Sequence, residues 1–147
     1  MEFNGKQYVT KANGRDIVNI NPVNWAKKVE SLGAGEINIT SVNYEGLQQG
    51  FDIKNINKIS KNLNIPVLAH GGCGNPEDVL ELVKKTNVSG VVIASFFHYN
   101  AISRFKKFKS KIGNTNFLEN FKKGNTELDL INKIKKTLSR EGFNVRN

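Results

Sequence analysis

Apolar residues between Asn21 and Ser95 fall into two alternating rhythms, one of helical period and one of short strand-like runs. Asn21-Pro22 opens a predicted helix with Val23, Trp25, Ala26, Val29 and Leu32 at helical spacing, ended by Gly33 and Gly35. Glu36 to Ser41 follows as a strand. Asp52 then caps a second helix carrying Ile53, Ile56, Ile59 and Leu63. Ile65 to Ala69 is the next strand, Pro76 to Lys85 the next helix, and Gly90 to Ser95 the next strand. Ahead of this series, Phe3 to Lys11 alternates around Asn4-Gly5 and predicts a small β-hairpin.

Beyond His98-Tyr99 the rhythm loosens. Phe105, Phe108 and Ile112 keep helical spacing among lysines, which makes the two phenylalanines core-facing rather than stacking platforms. Thr126 caps a final amphipathic helix with Leu128, Ile131, Ile134 and Leu138.

Strands and helices that alternate with such short connections form parallel βαβ units with right-handed crossovers. In Glu36 to Ser41, Glu36, Asn38 and Thr40 share one face while Ile37 and Ile39 share the other. A polar face opposite an aliphatic one suits a barrel strand, with isoleucine toward the helices and polar groups toward the lumen. An open doubly wound sheet prefers apolar residues on both faces. The pattern therefore predicts an α/β fold: the C-terminal half of a (β/α)8 barrel, preceded by the hairpin. At 147 residues the chain is one ordinary domain and falls short of the ~250 residues of a complete barrel.

Leu68 to Pro76 changes the picture from fold to chemistry. A short apolar run breaks into Gly71-Gly72-Cys73-Gly74, and Asn75-Pro76 starts a helix. Glycines without Cβ let backbone N–H groups approach an anion, and a helix N-terminus adds partial positive charge. The next strand ends in Ala94-Ser95, so two successive strand ends match the paired phosphate loops of a barrel.

Composition narrows the class. Hydrophobic content of 38% and mean hydropathy of −0.42 describe a globular chain without a membrane-spanning run, and the polar start Met1 to Lys6 is no signal peptide. A single cysteine, Cys73, makes no internal disulfide, which leaves the cytoplasm as the expected compartment. Twelve Lys and Arg against four Asp and Glu lie from Ala101 onward, a net +8 of the chain's +9. Without Arg clusters or glycine–aromatic interleaving, that excess reads as a solvated lysine-rich face, with nucleic-acid binding as the alternative.

Several motifs in order resemble one family. These are Trp25-Ala26-Lys27-Lys28-Val29-Glu30 with Gly33-Ala34-Gly35-Glu36-Ile37, Thr40-Ser41, Gly50-Phe51-Asp52, Ile65-Pro66-Val67 with Gly71-Gly72, Ala94-Ser95 with Phe97-His98, and Gly142-Phe143-Asn144-Val145-Arg146. Together they resemble the C-terminal half of the cyclase subunit of imidazole glycerol phosphate synthase, over residues 2–100 and again over 127–147. The resemblance implies a barrel that receives ammonia from a glutaminase partner and closes an imidazole ring on a bis-phosphorylated ribonucleotide in histidine biosynthesis. It places the family's two catalytic aspartates upstream of Met1, so activity is expected only with an N-terminal half-barrel; a homodimer is the other expected assembly.

Carried over residue by residue, the resemblance assigns the substrate phosphate to Gly71, Gly72, Ala94 and Ser95, and places Glu36 where ammonia enters the barrel. The family's Asp-Arg-Asp-Gly-Thr loop reads Asn43-Tyr44-Glu45-Gly46-Leu47 here, so both acids are altered. Residues 101–126 look inserted relative to the family. No cofactor is implied, and two histidines with one cysteine have no metal-ligand spacing.

Glu45 and His70 are the titratable groups best placed for acid or base work, although a carboxylate and an imidazole alone make no mechanism. His98, after Phe96-Phe97, reads as a structural histidine, and Cys73 as a small filler without a base partner. A non-catalytic phosphate-binding or assembly module on the same half-barrel is the alternative from another class.

Overall fold

A computed structural model describes residues 1–104 and 129–146. At its centre lies a three-stranded parallel sheet of β5 (Ile37–Thr40), β6 (Val67–His70) and β7 (Gly90–Val92), in that spatial order. Ile37 pairs with Val67, Thr40 with His70 and His70 with Val92, so the three strands end at one edge. A helix follows each strand: α2 (Ile53–Ser60), α3 (Pro76–Lys85) and α4 (Ser95–Arg104). α1 (Pro22–Ser31) precedes β5, and α5 (Leu130–Arg140) packs on α3.

Local chemistry explains the boundaries. The Asn21 side chain accepts from the N–H of Val23 at 2.9 Å and Asn24 at 3.3 Å, and Pro22 occupies the first helical position. Asp52 caps α2 by accepting the Asn55 N–H at 3.3 Å. Asn75 and Asp78 form a capping box at the start of α3. The Glu30 carboxylate accepts the Asn64 N–H at 2.7 Å and ties the end of α1 to the turn before β6.

Three expectations from the sequence need correction. The N-terminal segment forms two short antiparallel pairs instead of one hairpin reaching Lys11. β1 (Glu2–Phe3) meets β2 (Lys6–Gln7) across Asn4-Gly5, whose φ values of 49° and 71° suit a tight I′ turn. β3 (Val9–Lys11) then pairs with β4 (Asp16–Val18). The second turn carries Asn13-Gly14, at φ 57° and 82°, a turn signal that a single hairpin ending at Lys11 leaves out.

The strand expected over Gly90 to Ser95 stops at Val92, and Ser95 begins α4. The Ala94 carbonyl already accepts the His98 N–H at 3.0 Å, so the helix starts inside what reads as one apolar run.

Finally, not every residue at apolar helical spacing is covered. Trp25 of α1 and Leu32 at its C-terminal cap are 43% and 70% exposed and only Ala26 is buried; α1 packs on α2 but leaves these side chains uncovered. On α5 the buried residues are Leu130 and Ile134, while Ile131 points outward. Thr126, Leu128, Phe105, Phe108 and Ile112 lie outside the described residues, as does 105–126 of the proposed insertion; 101–104 continue α4.

The core sits between the sheet and α2, α3 and α5. Ile56, Val67, Val79 and Leu82 are essentially inaccessible, and Ile56, Val79 and Leu82 pack with Phe51, Ala69, Phe96, Leu130 and Ile134. No helix among the described residues is long and apolar enough to cross a membrane.

Candidate functional site

The site is built where the parallel strands end. His70 closes β6, and the backbone turns at Gly71 and Gly72 with φ of 97° and 109°. A Cβ on Gly72 would stand 2.0 Å from the Gly50 carbonyl oxygen, and one on Gly74 would stand 2.3 Å from that of Gln48. The Gly50 N–H also donates to the Gly72 carbonyl at 2.9 Å. Glycine at 72 and 74 is thus fixed by the passage of the 43–50 backbone. That differs from the sequence argument, in which the glycines simply clear space for an anion.

The helix contributing positive potential also differs from expectation. At the start of α3 the N–H groups of Gly74 and Asn75 donate to Asp78 at 2.8 and 3.1 Å, so a carboxylate already occupies that end. α4 is the helix that opens onto the cavity. Its first N–H groups, from Ser95 onward, lack carbonyls one turn back, as at every helix start.

A cavity of about 420 Å³ brings together Gly71, Gly72, Ala94 and Ser95 with Glu45, Gly46, His70 and His98. The four residues expected to hold phosphate and the two expected to act as acid or base therefore share one space. His98 shares it too, exposed in the first turn of α4, and this replaces its reading as a structural histidine. Its signal was available: the position lies three residues past Ser95, on the same side of the helix.

The remaining groups divide sharply. The His70 Nδ1 lies 3.2 Å from the Thr40 hydroxyl, which orients the ring at the strand end. Cys73 is buried at 3% exposure, and burial, with the nearby Asp78 carboxylate, pushes its thiol up to about 12. It is a protonated filler at neutral pH. Glu36 is exposed at the opposite end of β5, about 13 Å of strand from Thr40 at ~3.3 Å per residue. It takes no part in the cavity. No group of three or more potential metal-ligating side chains occurs among the described residues.

Two arrangements were not read from the sequence. Asn43 accepts from the Glu2 N–H at 2.8 Å and donates to the Glu2 carbonyl at 3.1 Å, docking the first hairpin on the 43–50 loop. An aspartate there would lack the donor. Asp52, read only as a cap, also accepts from the Ser41 hydroxyl at 3.0 Å and from the Asn55 side-chain amide at 2.8 Å. The Asn43–Glu2 and Ser41–Asp52 bonds join positions 41 and 11 residues apart, and no spacing rule exposes them.

A second cavity, about 630 Å³, opens beside β5, an edge strand among the described residues, and is lined by Trp25, Val29, Ile39, Asp52, Ile56 and other residues of α1, α2 and the hairpins.

Residues 2–103 match the family described as histidine biosynthesis protein. The chain belongs to that family. It is a family of TIM barrels, which agrees with the parallel sheet and the helix after each strand. Curated relatives include imidazole glycerol phosphate synthase subunit HisF of Hydrogenobaculum sp. (strain Y04AAS1), 51% identical over 90 residues, covering 61% of this chain and 36% of the relative. The subunit of the same name from Bacillus cereus (strain Q1) is 40% identical over 103 residues, covering 70% and 40%. That of Clostridium botulinum (strain 657 / Type Ba4) is 35% identical over 133 residues, covering 90% and 42%. The chain therefore spans roughly two fifths of the length of these histidine-biosynthesis relatives.

Proposed function

We propose that this chain forms the C-terminal half of a cyclase barrel of histidine biosynthesis and holds one phosphate of a phosphorylated ribonucleotide in the 420 Å³ cavity. The observation that carries this reading is the convergence of Gly71 and Gly72 with Ala94 and Ser95 at the end of the sheet where barrel chemistry takes place. The opening N–H groups of α4 and the Ser95 hydroxyl donate to the phosphate, and the left-handed turn at Gly71-Gly72 forms its other wall.

Glu45 and His70 face the rest of the substrate from neighbouring elements. Glu36, at the opposite end of β5, belongs to the path by which ammonia from a glutaminase partner enters the lumen. Ring closure itself is assigned to an aspartate pair on further strands, supplied by an N-terminal half-barrel. The reaction belongs in the cytoplasm.

The named relatives support this reading, and so does the sheet, whose edges at β5 and β7, unpaired among the described residues, leave backbone groups for further strands to pair. A phosphate-binding module without turnover is the second reading. Asn43 favours it, since both polar atoms of its amide are spent on the Glu2 backbone where the family has an acid.

An NMR titration of the full chain with inorganic phosphate tests the site. Shifts are expected at the amides of Gly71, Gly72, Ser95 and Phe96, and a hundredfold excess over the dissociation constant should stabilise the fold by about 2.7 kcal/mol. Ser95→Asp puts a carboxylate in the cradle at a helix position that tolerates it and should abolish both effects. Gly72→Asp is a poor test, because any Cβ there strikes Gly50. Unchanged phosphate binding in Ser95→Asp would remove the assignment. Ammonium-dependent turnover should appear only when the chain is mixed with an N-terminal half; binding without turnover in an assembled pair would favour the second reading.

A further inference from the structure

The buried hydrogen bond between Ser41 and Asp52 closes an 11-residue span whose middle carries the wall of the candidate cavity. Ser41 and Asp52 are 7% and 8% exposed, and the Ser41 hydroxyl donates to the Asp52 carboxylate at 3.0 Å. Asp52 also holds α2, through the Asn55 N–H at 3.3 Å and the Asn55 side-chain amide at 2.8 Å. Ser41 is equally committed. Its N–H donates to the His70 carbonyl at 3.1 Å, and its own carbonyl accepts from Tyr44 and Glu45, each at 3.0 Å.

Between these anchors the backbone passes under the glycine loop. Gly50 donates to Gly72 at 2.9 Å, and the Gly50 and Gln48 carbonyls fill the spaces where side chains at 72 and 74 would stand. The Ser41 carbonyl oxygen lies 3.0 Å from where a Cβ on Gly71 would be. Asp52 does not line the phosphate cavity. It nevertheless holds both ends of the segment against which Gly71, Gly72 and Gly74 rest.

We infer that Asp52 is a positioning residue for anion binding: through Ser41 it fixes the 41–50 loop and, with it, the Gly71-Gly72 turn and Glu45. The inference rests on the phosphate assignment proposed above. Desolvating a carboxylate is costly, and a neutral cap would serve α2 as well, so helix capping alone does not require an acid at 52. The acid supplies what a cap does not: acceptors enough for Ser41 and for both Asn55 donors at once.

The experiment uses the full chain with inorganic phosphate as probe and three variants, Ser41→Ala, Asp52→Ala and Asp52→Asn, with the double variant Ser41→Ala/Asp52→Asn. Phosphate affinity is read by NMR titration, and exchange of the Gly50 amide is read without phosphate. Ser41→Ala is expected to weaken phosphate about tenfold and to speed Gly50 exchange, with a modest drop in the thermal midpoint of the free protein. Asp52→Asn, whose single amide oxygen can serve the cap or Ser41 but not both, should restore only part of the affinity lost in Asp52→Ala. In the double variant the two losses should be non-additive.

Equal phosphate affinity and equal Gly50 exchange in Ser41→Ala and the unaltered chain would overturn the positioning role while leaving the phosphate site intact. Absence of phosphate shifts in the unaltered chain would overturn the phosphate assignment, and this inference with it. Should Asp52→Ala not fold, Ser41→Ala alone decides.

Discussion

The two sides of the sheet are finished to different degrees. Around β6 and α3, Ala69, Val79 and Leu82 are sealed, and Leu130 and Ile134 of α5 pack in the same cluster. Around β5 and α1, Trp25 and Leu32 face solvent and a cavity of about 630 Å³ runs along a strand edge that is unpaired among the described residues. Both helices are amphipathic by spacing, so the sequence pattern does not tell them apart. Burial depends on whether a second layer arrives, and for α1 none does among the described residues. Stability should therefore be concentrated on the α3 side, and association on the α1 side.

The sharpest break of this comparison uses one substitution in two places. Leu82→Ala should cost about 2–5 kcal/mol in urea unfolding, since it empties a site with no exposure. Leu32→Ala should change stability by less than ~0.5 kcal/mol. Similar losses at both positions would mean that the α1 side is covered after all.

A smaller effect belongs to the cap of α3. Asp78→Ala removes the acceptor for the Gly74 and Asn75 N–H groups and half of the capping box, and should cost about 1 kcal/mol by chemical denaturation. The loss should fall entirely on the α3 side, with hydrogen exchange in α1 unaltered.

Cys73 gives a pH-dependent version of the same contrast. Its thiol is raised from 9.0 to about 12, first by burial and then by Asp78, so the folded state holds the proton more tightly than the unfolded chain. The contribution to stability is fully present below pH 9 and is lost as pH rises toward 12. Cys73→Ala should flatten that alkaline decline in a thermal-melt series. Alkylation of Cys73 at neutral pH should proceed only through unfolding; fast labelling of the native protein would contradict the burial.

The smallest effect on stability should accompany the largest on assembly. Leu32→Lys leaves the fold intact and should reduce self-association through the α1 side, read as a shift toward monomer by light scattering at micromolar concentration. Identical scattering from the two proteins would show that this side is not where copies meet.

Much of the fold was legible because its signals are local. Asn21-Pro22, Asp52 and Asn75-Pro76 announce three helices at the residues where they begin, and α3 runs from Pro76 to Lys85 as the pattern predicts. The start of α4 was not legible, because Ile93 and Ala94 prolong the apolar run of β7 and Ser95 reads equally as a strand end or a helix start. In the site, Gly71 and Gly72 were conspicuous, but the reason for glycine at 72 lies in Gly50, 22 residues away in sequence. His98 reads as structural only while Ser95 is taken as a strand end; once Ser95 starts α4, the three-residue spacing puts both on one side of the helix. Ser41 and Asn43 hold the loop through partners that only the folded chain brings near.

Between Gly50 and Gly72 the two loops meet backbone to backbone, with no room for a side chain. Shape and chemistry are thereby carried by different residues. The seam sets the distance between the loops, while Glu45 and Leu47 project from the same segment without taking part in it. A library randomised at 45 and 47 should keep the wall in place and vary only what it presents, whereas a single added methyl at 72 should spoil every member. New ligand preferences can therefore arise on this rim without rebuilding the loop that carries it.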